Sequence, residues 1–156
     1  MGMENNLQIY TNPKLLHNSS SPVMNDELSF VIENIFPKLV ATLEKEGGVG
    51  LSAPQVGIYQ NIFIMDDEYN QQYKLCINPK VIYSMPFYKS EKIEACLSVP
   101  NKKFLVSRPQ IIRVEYTNQN QELITEDLKD YAARIYQHEI DHLLGILISD
   151  IGTLLP

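Results

Sequence analysis

Gln137-His138-Glu139-Ile140-Asp141-His142, near the C-terminal end of a 156-residue chain, is an HExxH stretch. On a helix it sets two imidazoles one turn apart on a single face, with a carboxylate beside them. Two neutral imidazoles so spaced can clamp a divalent metal, and the glutamate can take a proton from a metal-bound water. Followed backward at three- and four-residue steps, the stripe through His142 and His138 meets Ile135 and Tyr131. The histidines therefore share the apolar face and are expected to point inward, where a metal would supply the partner that buried imidazoles need.

The helix carrying this stretch is expected from Asp127 or Leu128 to about Leu144, with Gly145 as its C-terminal cap. Before it lie short β-type runs: Asn61–Met65, Lys74–Ile77, Lys80–Tyr83, Lys92–Leu97, Phe104–Val106, Ile111–Tyr116 and Glu122–Glu126. Polar clusters, Asp66 to Asn70 and Asn118 to Gln121, separate them as turns. An earlier helix is read from Leu28, Val31, Ile32, Ile35, Phe36, Leu39 and Leu43, with Asn25 or Asp26 as cap. Pro37 falls inside that pattern and should kink or split it, and Gly47-Gly48 end it. Residues 1–24 read as a loop-rich arm. Helix, many strands, helix is the order of an α+β fold with an antiparallel or mixed sheet packed on helices. One domain over residues 1–156 is expected.

The chain is 44% hydrophobic with a net charge of −6, enough apolar material for one core. No basic run exists, which argues against nucleic acid or an anionic membrane as partner. The N-terminal stretch is polar and lacks the apolar run of a signal peptide. The longest apolar stretch, around Leu143 to Ile148, is too short to span a bilayer. Two cysteines, Cys76 and Cys96, make no disulfide framework. A soluble, cytoplasmic, monomeric protein is expected.

HExxH supplies two ligands, and a catalytic site of this kind needs a third. Only 14 residues follow His142. Where one class of metalloprotease places a third histidine stands Ile148, and no glutamate follows Glu139. The third ligand must therefore lie upstream. Cys96, in Glu94-Ala95-Cys96-Leu97-Ser98-Val99-Pro100, ends a predicted strand before a turn, a good place to aim a side chain at a helix. Most cysteines so placed are small buried hydrophobes. Beside an HExxH lacking its third ligand, the ligand reading leads. Cys76, within Leu75-Cys76-Ile77, reads as core, and His17 as a surface or turn residue.

A third constellation, Gly48-Val49-Gly50-Leu51-Ser52-Ala53-Pro54-Gln55-Val56-Gly57, follows the first helix. By itself it is a glycine loop between helix and strand. Taken together, GVGLSAPQVG, EACLSVP and QHEIDH resemble, in order, the three motifs of peptide deformylases, usually GxGLAAxQ, EGCLS and HExDH. Val106-Ser107-Arg108-Pro109 resembles a further "RP" stretch of that family. The likeness runs from about residue 10 to 150.

The resemblance implies a metal hydrolase that removes the formyl group from the N-terminal methionine of nascent polypeptides. It also implies an α+β fold built around a central HExDH helix. By matching positions, Cys96, His138 and His142 would bind the metal, with Fe(II) as the working ion and Zn, Ni or Co as ions that purified protein can carry. Glu139 would be general base and proton shuttle. Gln55 and the N–H of Leu97 would hold the oxyanion. Gly50, Leu51 and Ala95 would meet the backbone of an extended formylmethionyl peptide, Val49, Tyr131 and Ile135 would line the methionine pocket, and Glu94 would sit beside the substrate site, paired with Arg108. Ribosome-associated nascent chains are the expected source of substrate.

The sequence departs from the family pattern at four places. Ala95 replaces a glycine, raising the expectation that its Cβ obstructs the peptide. Ser52 replaces an alanine and could reach nearby backbone. Asp130 stands where glycine commonly opens the helix. The chain also ends soon after His142, as a compact form without the further C-terminal helix of longer relatives. Two other readings fit the same motifs: a related metal hydrolase for another N-acyl group or small peptide, and a metal-binding protein that recognises peptide termini without turnover.

Overall fold

The computed structural model describes residues 6–67 and 70–156. The start of the N-terminal arm and part of the turn expected over Asp66–Asn70 lie outside the described residues.

The arm carries a short helix, α1 (Pro13–Leu16), whose first turn is capped by the Asn12 side chain. The arm bonds to the stretch over residues 48–57, with Tyr10 N–H donating to Gln55 O at 2.7 Å. A helical stretch comes next: α2 (Leu28–Phe30), a π-helical turn over Val31–Ile35, and α3 (Phe36–Glu46). The split expected at Pro37 is a change of winding. Proline lacks an N–H and its ring presses on the carbonyl four residues back, and a wider turn just before it relieves both. Gly47 ends α3 in the left-handed region at φ 79°, its N–H returning to Leu43 O.

Eight strands run through the described residues: β1 (Gly50–Ser52), β2 (Ile62–Asp67), β3 (Gln72–Ser84), β4 (Lys89–Cys96), β5 (Val99–Pro109), β6 (Ile111–Thr117), β7 (Leu123–Lys129) and β8 (Thr153–Leu154). They form a five-stranded antiparallel sheet in the order β1-β2-β3-β6-β7 and a three-stranded one in the order β4-β5-β8. The runs Lys74–Ile77 and Lys80–Tyr83 are one strand, β3, not two. Asn78, at φ 50°, absorbs a register shift between Ile77 and Lys80, and its side chain holds Val23 through both N–H and C=O. The bulge turns the strand at Asn78-Pro79 without breaking it.

The helix α4 (Asp130–Leu143) starts later than expected, because Leu128 and Lys129 still pair with Ile112 and Ile111. A last short helix, α5 (Ile148–Ile151), leads to β8. Along β2, Ile62 and Ile64 pack toward α3, while Phe63 and Met65 pack toward α4. That two-sided burial explains why Ile62-Phe63-Ile64-Met65 is apolar without alternation. Cys76 is core, as expected. Tyr136 is fully buried on α4, edge-on to Phe63 at 5.0 Å, with its hydroxyl donating to Lys80 O. α4 touches strands of both sheets, which makes the HExxH helix the centre of the fold.

Candidate metal centre and active site

β4 delivers Cys96 at its end, just before the turn Leu97-Ser98, and α4 delivers His138 and His142. A register shift between Glu94 and Cys96 marks a bulge at Ala95, leaving both flanking residues buried. The ligand atoms of Cys96, His138 and His142 all lie within 4.8 Å of one another. Cys96 Sγ is 3.4 Å from His142 Nε2, near the roughly 3.5 Å edge of a tetrahedral site with zinc-like bond lengths.

The two imidazoles are prepared differently. His142 is 2% exposed and its Nδ1 has no hydrogen-bond partner among the described residues. Burial first, then the charges of His138 and Arg108, push its pKa well below the usual value, so the ring is neutral, the form that ligates. His138 Nδ1 lies 2.9 Å from Glu94 Oε1, which directs Nε2 at the cluster. Burial disfavours its charge, but hydrogen bonds to Cys96 and Glu94 outweigh that and lift its pKa to about 10. A neutral buried imidazole, an oriented second one and a sulfur in mutual reach fit a divalent metal of borderline softness.

Glu94 binds more than Arg108. Arg108 donates Nε to Oε2 at 2.7 Å and an NH2 to Oε1 at 3.0 Å, and Arg134 donates to Oε2 as well. Burial would raise the Glu94 pKa, but the bonds from His138 and Arg108 win and hold it at about 2. Arg108 reaches on to Asp141 at 2.8 Å, and Arg134 to the carbonyls of Val106 and Ser90. Arg134 and Asp141 were missed in the sequence, although both lie on the helix that carries the motif. Asp141 is the D of HExDH, and Arg134 stands four residues before His138 on the same helix face.

Glu139 is 4% exposed, and burial raises its pKa against the opposing pull of His138 and a hydrogen bond from Ser52. Gln55 accepts the N–H of Ser52 at its Oε1, 2.9 Å away. That fixes the amide orientation and turns Nε2 toward Ser98 Oγ at 3.1 Å and Cys96 Sγ at 3.7 Å. Glu139, Gln55 and Cys96 all face one cleft of about 560 Å³, walled by Val49, Gly50, Glu94, Ala95, Leu97, Tyr131 and Ile135. The cleft opens between β1 and β4, each an edge strand of its sheet. Tyr131 is half-exposed at the rim, whereas Ile135 is buried. Leu51 does not join this lining: its side chain is fully buried in the core against α3. Ala95 is exposed with a negative φ, so the backbone does not demand a glycine there. Asp130 is the position that does favour one, with φ 52°.

The polypeptide deformylase family model matches residues 5–153. The peptide deformylase of Pseudothermotoga lettingae is 36% identical over 150 residues, covering 96% of this chain and 83% of that protein. The crystal structure of the Thermotoga maritima peptide deformylase superposes with a TM-score of 0.82 at 36% identity, over 93% of this chain and 96% of that one. A Met-Ala-Ser-bound structure of the Acinetobacter baumannii class I type b enzyme superposes with a TM-score of 0.85 at 28% identity, over 93% and 97% of the two chains. The α+β architecture is theirs. A match over nearly the whole length puts this chain in the polypeptide deformylase family, hydrolases that remove the formyl group from formylmethionyl peptides in a metal-dependent reaction.

Proposed function

We propose that Cys96, His138 and His142 hold one divalent ion, Fe(II) as the working metal, and that Glu139, Gln55 and Leu97 carry out deformylation beside it. The observation that carries this reading is the convergence of a buried carboxylate, an oriented amide and three ligand atoms on the floor of one cleft. A bound ion would supply Lewis acidity, lowering the pKa of a water and polarising the formyl oxygen. Glu139 takes the proton of the attacking water and holds it briefly. Gln55 Nε2, with the Leu97 N–H, donates to the oxyanion that forms on the formyl carbon. Glu139 then returns the proton to the leaving amine, giving formate and a free N-terminus.

Val49, Tyr131 and Ile135 give the methionine side chain an apolar wall, and the main chains of Gly50, Leu51 and Ala95 can pair with an extended peptide lying between the edges of β1 and β4. Glu94 acts from behind the site, orienting His138 rather than meeting the peptide. The Met-Ala-Ser bound to the Acinetobacter enzyme is the deformylated counterpart of such a substrate. The working unit is a single catalytic domain over residues 1–156, monomeric and cytoplasmic, acting on nascent chains as they leave the ribosome. No helix among the described residues is long and apolar enough to cross a membrane.

The test is turnover of formyl-Met-Ala-Ser by protein loaded anaerobically with Fe(II), Zn(II) or Ni(II). The ferrous form should be active and fade on exposure to peroxide as iron or Cys96 oxidises, while the nickel form should last. Zinc-loaded protein equal to the ferrous form and indifferent to peroxide would remove the iron assignment. Metal bound with no formate released, or release only from other N-acyl peptides, would remove the deformylase assignment.

A further inference from the structure

β1 presents two residues to α4. Positions i and i+2 of a strand share a face, so Gly50 and Ser52 look toward the helix while Leu51 turns into the core. A Cβ at Gly50 would lie 2.7 Å from Glu139 Oε2 and 3.1 Å from Cδ, too close for any side chain. Ser52 is fully buried, and its Oγ lies 2.9 Å from Glu139 Oε1 and 2.8 Å from the main-chain oxygen of the same residue. Among the described residues this is the one side-chain hydrogen bond to the Glu139 carboxylate.

We propose that Ser52 is a positioning residue for Glu139: its hydroxyl holds Oε1, so that Oε2, lying over Gly50, is the oxygen that takes the proton from water and returns it to the amine. The inference rests on the base role proposed above for Glu139. The geometry supports it in two ways. The single hydroxyl proton of Ser52 is shared between Oε1 and the Glu139 main-chain oxygen, and the second oxygen fixes the serine rotamer on the helix that carries the carboxylate. A glutamate has three side-chain torsions to fix, and a misplacement of about 1 Å in such a group can cost on the order of 10²-fold in rate. Ser52 also sets Gln55, but through its main-chain N–H, which a side-chain substitution leaves in place. The two contacts can thus be separated.

The experiment compares Ser52→Ala in the natural chain and in a Glu139→Asp background, where the shorter acid falls back from Oγ. The readouts are kcat and KM on formyl-Met-Ala-Ser with Fe(II)-loaded protein, metal content and melting temperature. Alanine is the usual residue here in the related motif and fits the space. Ser52→Ala should lower kcat about tenfold, the size expected for losing a hydrogen bond to a charged group, with KM, metal content and melting temperature unchanged. In the Glu139→Asp background it should change kcat by less than about twofold, since the contact is already lost. An unchanged kcat in the natural chain, an equal loss in both backgrounds, or a loss that travels with metal content or KM would each overturn the proposal. Near-normal turnover of Glu139→Gln would remove the base role itself, whereas an inactive Glu139→Gln beside an unaffected Ser52→Ala would sink only the role of Ser52.

Discussion

Glu94 Oε1 and His138 Nδ1 lie 2.9 Å apart, and the same carboxylate takes the guanidinium groups of Arg108 and Arg134. One acid thus sets the tautomer of a proposed ligand and ties α4 to β4 and β5. Groups that orient a ligating histidine typically matter by about 10–100-fold in metal affinity. Glu94→Gln is expected to weaken Fe(II) or Zn(II) binding by about that factor while Cys96 and both histidines remain. Competition against a chelator of known affinity measures it, and unchanged affinity would show that His138 is oriented by α4 alone.

The same residue carries a pH signature. Its folded pKa of about 2 lies below the ordinary 4.5, so it stabilises the fold fully above pH 4.5 and loses that contribution as pH falls from there through 2. The shift corresponds to roughly 3 kcal/mol. In metal-free protein, denaturant melts of the natural chain and Glu94→Gln should differ by about this amount at pH 7, and the gap should close across the window from pH 4.5 to 2. A gap that stays constant through that window would assign the loss to packing.

Glu139→Gln is expected to keep the metal and lose roughly 10²–10⁴-fold in turnover, the usual cost of removing a general base. The amide is nearly the same shape and can still meet Ser52, so the fold and the ligand cluster stay intact. Metal stoichiometry and turnover must be read on the same sample. Substantial activity in a fully loaded Glu139→Gln protein would take Glu139 out of the chemistry.

The parts of this site that were legible in the sequence are those fixed by local spacing. HExxH on a helix places His138, Glu139 and His142 by pitch alone, and elimination pointed to Cys96. The supporting groups were not legible, because they depend on which elements meet. Arg134 finds Glu94 only because β4 lies across α4, and Ser52 finds Glu139 only because β1 does. The strand set was readable from β-branched runs, but the continuity of β3 through Asn78-Pro79 was not, since the bulge is stabilised by Val23 from the distant arm. The late start of α4 had the same origin: register with β6 overrode helical periodicity at Leu128.

At the bulge between Glu94 and Cys96, Ala95 keeps a negative φ, so the expected obstruction reduces to one methyl group at the cleft wall. Ala95→Gly is expected to leave kcat/KM on formyl-Met unchanged and to raise it on formyl-Met-Ala-Ser, whose chain would run farther along β4 in the proposed binding mode. It should also cost about 0.5–1 kcal/mol of stability, as glycine does within a strand. Equal efficiency of both variants on the longer peptide would show that the methyl is accommodated.

Asp130 is where the backbone itself would favour glycine. Its N–H is held by Gln110 O at 2.8 Å as β7 ends, and the chain turns into α4 with φ 52°. A side chain in the left-handed region costs roughly 1–2 kcal/mol, least for Asp and Asn. Against this, an acid at a helix start gains about 0.3–1 kcal/mol from the helix dipole. Two accounts then order the variants differently. If Asp130 behaves as the first residue of an ordinary helix, alanine should be more stable than glycine by about 1 kcal/mol. If the left-handed conformation governs, glycine should match aspartate within about 0.5 kcal/mol and alanine should fall below both by about 1 kcal/mol. The structure predicts the second order. Thermal melts of the natural chain, Asp130→Gly and Asp130→Ala decide it, and an alanine variant more stable than the glycine one would mean that α4 starts without the left-handed turn.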